Sequence, residues 1–522
     1  METKTHISYP QTSPSTGLFP RSVLIISGVS LVARIALAAA LYPGFDEAYY
    51  FSYSLRPSLS YFDHPPVVAW LAGLFPFLLG QITPLTIRLG AILAFSLSSL
   101  LFYRLSRRWL TARESVIAFV LLNLTPIFAL GAGAMILPDA GLLFFWICAL
   151  FFHVSLINNP ERTVNWLLAG TFTGLTMLSK YHGLFLAISI MSYSVIGFPR
   201  IFRRPGPYLY SLFALIVFSP VILWNYQHGF ASFLFQGGRA IGHNISLQRL
   251  LQAIGGQAAY LTPMIFVPLV YVMYLTLSRG LLKRDLEYRL YFFFGTLPVV
   301  VINFISLFKP ILPHWTMPGY VILLVPLARH IQAQLNSRPW FKKYVYSSIV
   351  FIFMLMIVGF LHVKFGIFHL EKMAERKWMS KQNFYKDATL DLIGWDQINH
   401  YLEAHNIHPD STFLFTHKWF LSGEAEFATR GKFTVMCFNK TDSRGFGIWD
   451  ASLDMRGRDG LFISTNVYAH DPHKHYSTYF ESISAPDSIL VERGGVISKT
   501  IYFHHCKNLL KNYPVFNGTK IH

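Results

Sequence analysis

Asp46 and Glu47 stand just beyond the first long apolar run of the chain, and Tyr61-Phe62-Asp63-His64-Pro65-Pro66 follows before the next. Carboxylates bracketed by membrane-length hydrophobic segments have a desolvation cost that solvated loop residues avoid, so a functional role is the first reading. The other reading is a solvated connector terminated by its prolines. A carboxylate within hydrogen-bond reach of an incoming hydroxyl can accept its proton or orient it as a nucleophile. Asp46 and Glu47 are therefore candidate catalytic groups. At Asp63-His64 the two following prolines pin the backbone and remove two amide donors; such a pair suits contact with a metal or a phosphate. Asp139, after Pro138, is a further acid at the start of an apolar run, where it could cap a helix, take part in catalysis, or do both.

Basic residues complete the constellation: Lys180 and His182 in Ser179-Lys180-Tyr181-His182, Arg239 after Gly237-Gly238, Lys309, His314 before Trp315, and His228. Cations beside acids at one membrane face suit a phosphate-bearing substrate, whose leaving charge they would stabilise. Snorkelling of Lys and Arg at the interface is the rival account. Tyr49, Tyr50 and Tyr53 share one helical face and read as an interfacial anchor or a surface for stacking a sugar. A divalent metal is possible at Asp63, His64, His314 or His228, although their scattered spacing gives it no geometric support. No Walker loop, dinucleotide fingerprint, zincin helix or nucleophile elbow occurs, so a soluble nucleotide donor has no obvious cradle.

The elements that must hold these groups are membrane helices. Hydrophobic residues make up 53% of the 522 residues and charged residues 13%. A spanning helix needs about 20 apolar residues, and runs near 22–42, 84–103, 115–134, 140–157, 164–179, 184–199, 207–224, 257–277, 290–308, 315–328 and 345–363 are the expected spans. The net charge of +18 comes from short clusters between those runs, such as Arg104, Arg107 and Arg108. It reports topology and gives no sign of nucleic acid as a partner. With the N-terminus cytoplasmic, the basic clusters lie inside and every acid and base singled out above lies on the outer side. Residues 1–20 read as a disordered cytoplasmic segment, 21–363 as the membrane domain with a first outer loop at 43–83, and 364–522 as a soluble α/β domain on the outer side. Short buried strands are expected at 412–416, 432–438 and 460–464 and a helix at 392–405. Cys437 and Cys506 could pair or stay free.

Asp46-Glu47-Ala48-Tyr49-Tyr50, Tyr61 to Pro66, Leu137-Pro138-Asp139, Leu178-Ser179-Lys180 and Pro313-His314-Trp315, in this order, resemble the GT-C superfamily of membrane glycosyltransferases. Within it the chain is similar to the branch of protein O-mannosyltransferases and lipid A aminoarabinose transferases. The resemblance covers residues 20–330. It implies a polytopic α-helical protein of about 11–13 transmembrane helices with a C-terminal soluble α/β periplasmic domain, in a bacterial inner membrane. It implies an inverting transfer of a sugar from a polyprenyl-phosphate donor to an envelope acceptor, most readily lipid A or lipopolysaccharide. Asp46, with Glu47 adjacent, takes the place of the first-loop acid and Asp139 that of the second. Where the aminoarabinose transferases have acid-Lys-Pro-Pro, this chain has His64, so Lys180, Arg239, Lys309 or a divalent metal would supply charge to the donor phosphate alongside His64. Tyr61, Asp63, His182, His228 and His314 remain as substrate-positioning groups. A protein O-glycosyltransferase, a transporter of lipid-linked sugars and a non-catalytic scaffold are the alternatives; transporter sites lie near the midplane, whereas these residues collect at one face.

Overall fold

The computed structural model describes residues 18–240, 244–370, 373 and 387–514. Its N-terminal part is helical: α1 (Arg21–Ala40), α2 (Phe45–Ser54), α3 (Val67–Leu79), α4 (Pro84–Ser106), α5 (Ala112–Leu124), α6 (Pro138–Asn158), α7 (Thr163–Ser179), α8 (Gly183–Gly197), α9 (Gly206–Gln227), α10 (Ala231–Ala240), α11 (Leu247–Leu261), α12 (Pro263–Leu275), α13 (Leu286–Tyr291), α14 (Leu297–Ser306), α15 (Met317–Ser337) and α16 (Pro339–Phe365). Seven helical runs among the described residues are long and apolar enough to cross a membrane: α1, α4, α6, α9, α16, α12 extended to Leu282, and α13 continued through α14. The other expected spans are helical too. Among them α5, α7 and α8 have 13, 17 and 15 residues, and α15 turns polar from Arg329 onward. The central packing joins α6 to α7 and α7 to α9, over a core that includes Trp146, Tyr193 and Tyr320.

Local chemistry fixes the ends that matter for the site. Thr83 caps α4, its hydroxyl accepting from the Thr86 amide at 3.1 Å, with Pro84 as the first helical residue. Proline there loses only a donor that would be orphaned. In α2, Gly44 is the cap and the Glu47 carboxylate reaches back to its N–H at 3.1 Å. Pro66 begins α3, and Gly80, at φ +65°, ends it in the left-handed region that glycine occupies without strain.

The C-terminal part is a small sheet domain. Six strands, β1 (Thr412–Thr416), β2 (Val435–Cys437), β3 (Asp459–Thr465), β4 (Phe480–Ile483), β5 (Asp487–Arg493) and β6 (Val496–Leu509), run in the order β2-β1-β3-β6-β4, with β5 on β6. β1 pairs in parallel with β2 and with β3, and β6 is antiparallel to its neighbours. Four short helices complete it: α17 (Gln397–Ala404), α18 (Trp419–Ala428), α19 (Gly445–Asp450) and α20 (Pro472–Tyr476). The strands expected at 412–416 and 460–464 form, and that expected at 432–438 shortens to β2. The expected helix begins only at Gln397, because Gly394 adopts φ +76°. Cys437 and Cys506 are both free and buried.

The domain sits on α2 through α18. A Cβ on Gly423 would come within 3.0 Å of the Tyr49 amide nitrogen, so glycine permits this close approach. Tyr49 and Tyr53, at 1% and 0% exposure, are therefore core residues. This corrects the expectation of an interfacial or sugar-facing tyrosine row: the sheet domain covers the face that the pattern left open.

Candidate active site

Four acids gather where α2, α3, α4, α6 and the sheet domain meet, and three of them carry a cation of their own. Glu47 is 2% exposed and grips Arg88 by two bonds, from Nε to Oε1 at 2.7 Å and from Nη2 to Oε2 at 2.6 Å. The Ile136 amide adds a third at 2.9 Å. Arg88 spends its other donors on the carbonyls of Ala38, Leu41 and Tyr42, which tie the end of α1 to α4. Every lone-pair direction of Glu47 that matters is occupied, so its geometry is that of a brace.

Asp139 lies in the first turn of α6, whose cap is the extended Leu137; its side chain caps nothing, which settles the capping alternative against it. Its oxygens each take a bond from Lys180 Nζ at 2.9 Å, and both residues are 3% exposed. Lys180 is the residue that ends α7, so this pair fixes α6 against α7. His314 and His182 lie within electrostatic range of Asp139, and the His182 ring meets Trp315 edge-on at 5.2 Å.

Asp63 is held from three sides. Tyr49 donates to Oδ2 at 2.6 Å, Tyr53 adds a longer bond at 3.2 Å, and Arg444 Nη1 meets Oδ1 at 3.0 Å. Gln236 of α10 donates to the Asp63 carbonyl at 2.5 Å. Arg444 stands at φ +48° in the loop before α19, with its guanidinium 3.9 Å above Trp419. That ring packs 4.7 Å from Tyr49. Tyr61 stacks on Tyr53 at 4.1 Å and donates to the Tyr53 and Arg56 carbonyls, so it shapes the loop rather than projecting from it. His64 meets Tyr50 edge-on at 5.6 Å.

Asp46 differs from the other three. Its side chain is accessible to solvent, and it makes no side-chain hydrogen bond or ion pair among the described residues. Protein nevertheless encloses it closely, and burial pushes its carboxyl above the usual range, with Arg444 and Lys180 pulling down and Asp63 and Glu47 pushing up. The same field reaches Tyr50, whose hydroxyl is raised by burial first and by Asp46 second. The arrangement is thus a set of braced ion pairs around one unpaired, accessible carboxylate, able to accept a proton or to steady a positive centre.

Sequence reasoning brought the right outer segments together but missed two of the three cations. Arg88 was findable: it and Arg104 are the two charges within the otherwise apolar α4, and Arg104 lies in its last turn. Arg444 carries no such signal, since it lies in a polar loop 381 positions from Asp63. Lys309 and His228, by contrast, are not joined to the acids. The His228 ring stacks on Trp224 at 4.1 Å, and the Lys309 side chain makes no hydrogen bond or ion pair among the described residues. The Arg239 side chain lies outside the described residues. No group of three His, Cys, Asp or Glu side chains among the described residues could hold a metal ion; Asp63, the centre of the expected set, gives its oxygens to Arg444 and two tyrosines.

Residues 63–224, from Asp63 past Asp139 and Lys180, match the family model described as dolichyl-phosphate-mannose-protein mannosyltransferase. Over nearly the whole chain the fold is similar to that of ArnT from Cupriavidus metallidurans: in the apo state the TM-score is 0.61 at 14% identity, covering 92% of this chain and 97% of that one. ArnT bound to undecaprenyl phosphate aligns with a TM-score of 0.55 over the same shares. The family model thus matches about a third of the chain, and the likeness to ArnT is one of fold. In sequence the chain is also similar to the lipid A galacturonosyltransferase RgtD of Rhizobium johnstonii, 26% identical over 319 residues, which cover 59% of this chain and 64% of that protein.

Proposed function

We propose that the protein moves a sugar from a polyprenyl-phosphate carrier to a lipid A-type acceptor at the outer, periplasmic face of a bacterial inner membrane. The observation that carries this reading is Asp46: the one acid of the four without a partner among the described residues, accessible where its neighbours are locked. In the reaction the acceptor oxygen forms a bond to C1 of the sugar while the bond from C1 to the carrier phosphate breaks on the opposite face. When the acceptor is a hydroxyl, Asp46 accepts its proton; when it is a phosphate, already anionic, Asp46 steadies the positive charge that develops on the sugar. The carrier phosphate leaves with its electron pair. Lys180 and Arg444, the cations that Asp46 feels most strongly, stabilise it, with His64 beside Tyr50 as a further donor.

Glu47 and Asp139 are positioning residues in this scheme. Glu47 sets the direction of α2 through Arg88, and Asp139 holds Lys180 in place. The ArnT complex with undecaprenyl phosphate and the lipid A acceptor in the name of RgtD support the donor and the acceptor class. Mass spectrometry of envelope lipids from cells with the intact gene, a deletion, and Asp46→Asn tests the proposal. Loss of one glycan-bearing lipid A species, with its polyprenyl-linked sugar accumulating in both defective strains, is the expected result. An unchanged lipid profile in all three strains would sink the lipid A assignment.

A further inference from the structure

A second polar pocket opens in the sheet domain, and its position follows from the topology. From β1 the chain crosses through α18 to β2 on one side, and β3 then inserts on the other side of β1. The loops leaving β1 and β3 therefore diverge and leave a crevice at the carboxyl ends of the parallel strands, the place where open α/β sheets take ligands. Here that crevice has a volume of about 300 Å³. His417 and Lys418 line it from the end of β1, Asn439 and Lys440 from the end of β2, and His470 and His475 from beyond β3.

The imidazoles stack in a column, His417 on His470 at 4.4 Å and His470 on His475 at 4.1 Å. His417 is 6% exposed, and its Nδ1 and the His470 Nε2 are both buried without a hydrogen-bond partner. Burial, the neighbouring imidazoles and Lys418 push His417 down to about 3, and burial, His475 and Lys418 push His470 down to about 4 against the pull of Asp471. At neutral pH these two rings are neutral. The pocket is then lined by two lysine cations and by two imidazoles that each have a nitrogen without a hydrogen-bond partner. Asn439 is already occupied: its side chain donates to the His417 carbonyl at 2.9 Å and accepts from the Thr441 and Asp442 amides.

We propose that this pocket binds a phosphate group. A tetrahedral oxyanion offers acceptors to both lysines and to imidazole N–H donors at once. The stacked geometry does not suit a metal, since parallel rings cannot aim three nitrogens at one centre. The phosphate comes either from a phosphorylated glycolipid headgroup or from the free ion. The pocket belongs to a wall separate from the transferase acids, although Lys418 directly precedes Trp419, on which Arg444 lies.

Titration of the full-length protein in a neutral sugar detergent with inorganic phosphate, and separately with a phosphorylated lipid A, tests this. The wild type is expected to bind at least one probe, and Lys418→Gln with Lys440→Gln to weaken that binding about tenfold, in keeping with the loss of charge-assisted hydrogen bonds. Lys440→Gln alone, at an exposed position, is expected to give a smaller loss if the double variant does not fold. Binding of the glycolipid alone assigns the headgroup as the source, and binding of phosphate alone assigns the free ion. Asp46→Asn is expected to leave the titration with inorganic phosphate unchanged, which separates this site from the transfer reaction. Binding that is equal in wild type and lysine variants, or no binding of either probe into the millimolar range, overturns the proposal.

Discussion

The ion pairs on the membrane side of the site and those on the sheet-domain side are built differently. Glu47–Arg88 and Asp139–Lys180 join neighbouring helices, and all four side chains are at most 4% exposed. Asp63–Arg444 and Glu426–Arg56 cross from the first loop to the sheet domain over 381 and 370 positions, and their arginines keep 23% and 25% of their side-chain surface. A fully buried pair stands on complete satisfaction, so removing one member leaves a desolvated charge behind. An arginine that keeps a quarter of its surface can be replaced at lower cost, because water takes over part of its role. The membrane side therefore holds the frame, while the domain side can adjust the field around Asp46.

Four substitutions and a pH profile would break or sharpen this contrast. The largest expected effect is that of Asp46→Asn, which should lower transfer by about 10² to 10⁴-fold, the usual range for removal of a general base, with unchanged insertion and thermal midpoint. Glu47→Gln should act in the opposite channel, destabilising the protein by about 3–5 kcal/mol because Arg88 loses its buried partner; thermal unfolding in detergent checks it. A Glu47→Gln protein as stable as the wild type would contradict the bracing role. Arg444→Gln should cost less stability than Glu47→Gln and lower kcat/KM by about tenfold, as expected for one charge-assisted contact.

The pH dependence gives the sign of that field. Asp46 acts ionised, and burial raises its carboxyl above the usual range. Activity should therefore fall as pH drops through a value above about 4, the ordinary carboxylate pKa. Arg444 lowers the Asp46 pKa, so Arg444→Gln should move the acid limb to still higher pH; a limb that moves down or stays fixed would refute the coupling. The smallest effect belongs to Gly423→Ala, where the new methyl meets the Tyr49 backbone at 3.0 Å. About 1–3 kcal/mol is the usual cost of overpacking, and the lower end is expected because the neighbour need give only a few tenths of an ångström.

How much of this was legible in the sequence follows the same division. Asp46, Asp139 and Lys180 stood out because apolar surroundings make a charge conspicuous, and the motif order gave their grouping. The helical membrane part and the α/β character of the C-terminal part were legible from run length and alternation. What separates Asp46 from Glu47 was not. They are adjacent, and only the direction of α2 sends Glu47 back to Gly44 and Arg88 while leaving Asp46 open. The tyrosines of α2 read as interfacial because the pattern shows an aromatic face without showing what covers it. Arg444 and Gly423 act through contacts across the sheet domain, and no local periodicity encodes a partner hundreds of positions away.

The most direct test of the central claim, that the unpaired acid works and the paired acids position, is the transfer rate of purified protein with saturating polyprenyl-phosphate sugar. Asp46→Asn and Glu47→Gln would be compared with the wild type at one temperature well below their unfolding transitions. The account predicts that folded Asp46→Asn is inactive while the folded fraction of Glu47→Gln retains most of its rate. A wild-type rate in Asp46→Asn, or a folded but inactive Glu47→Gln beside an active Asp46→Asn, would contradict it.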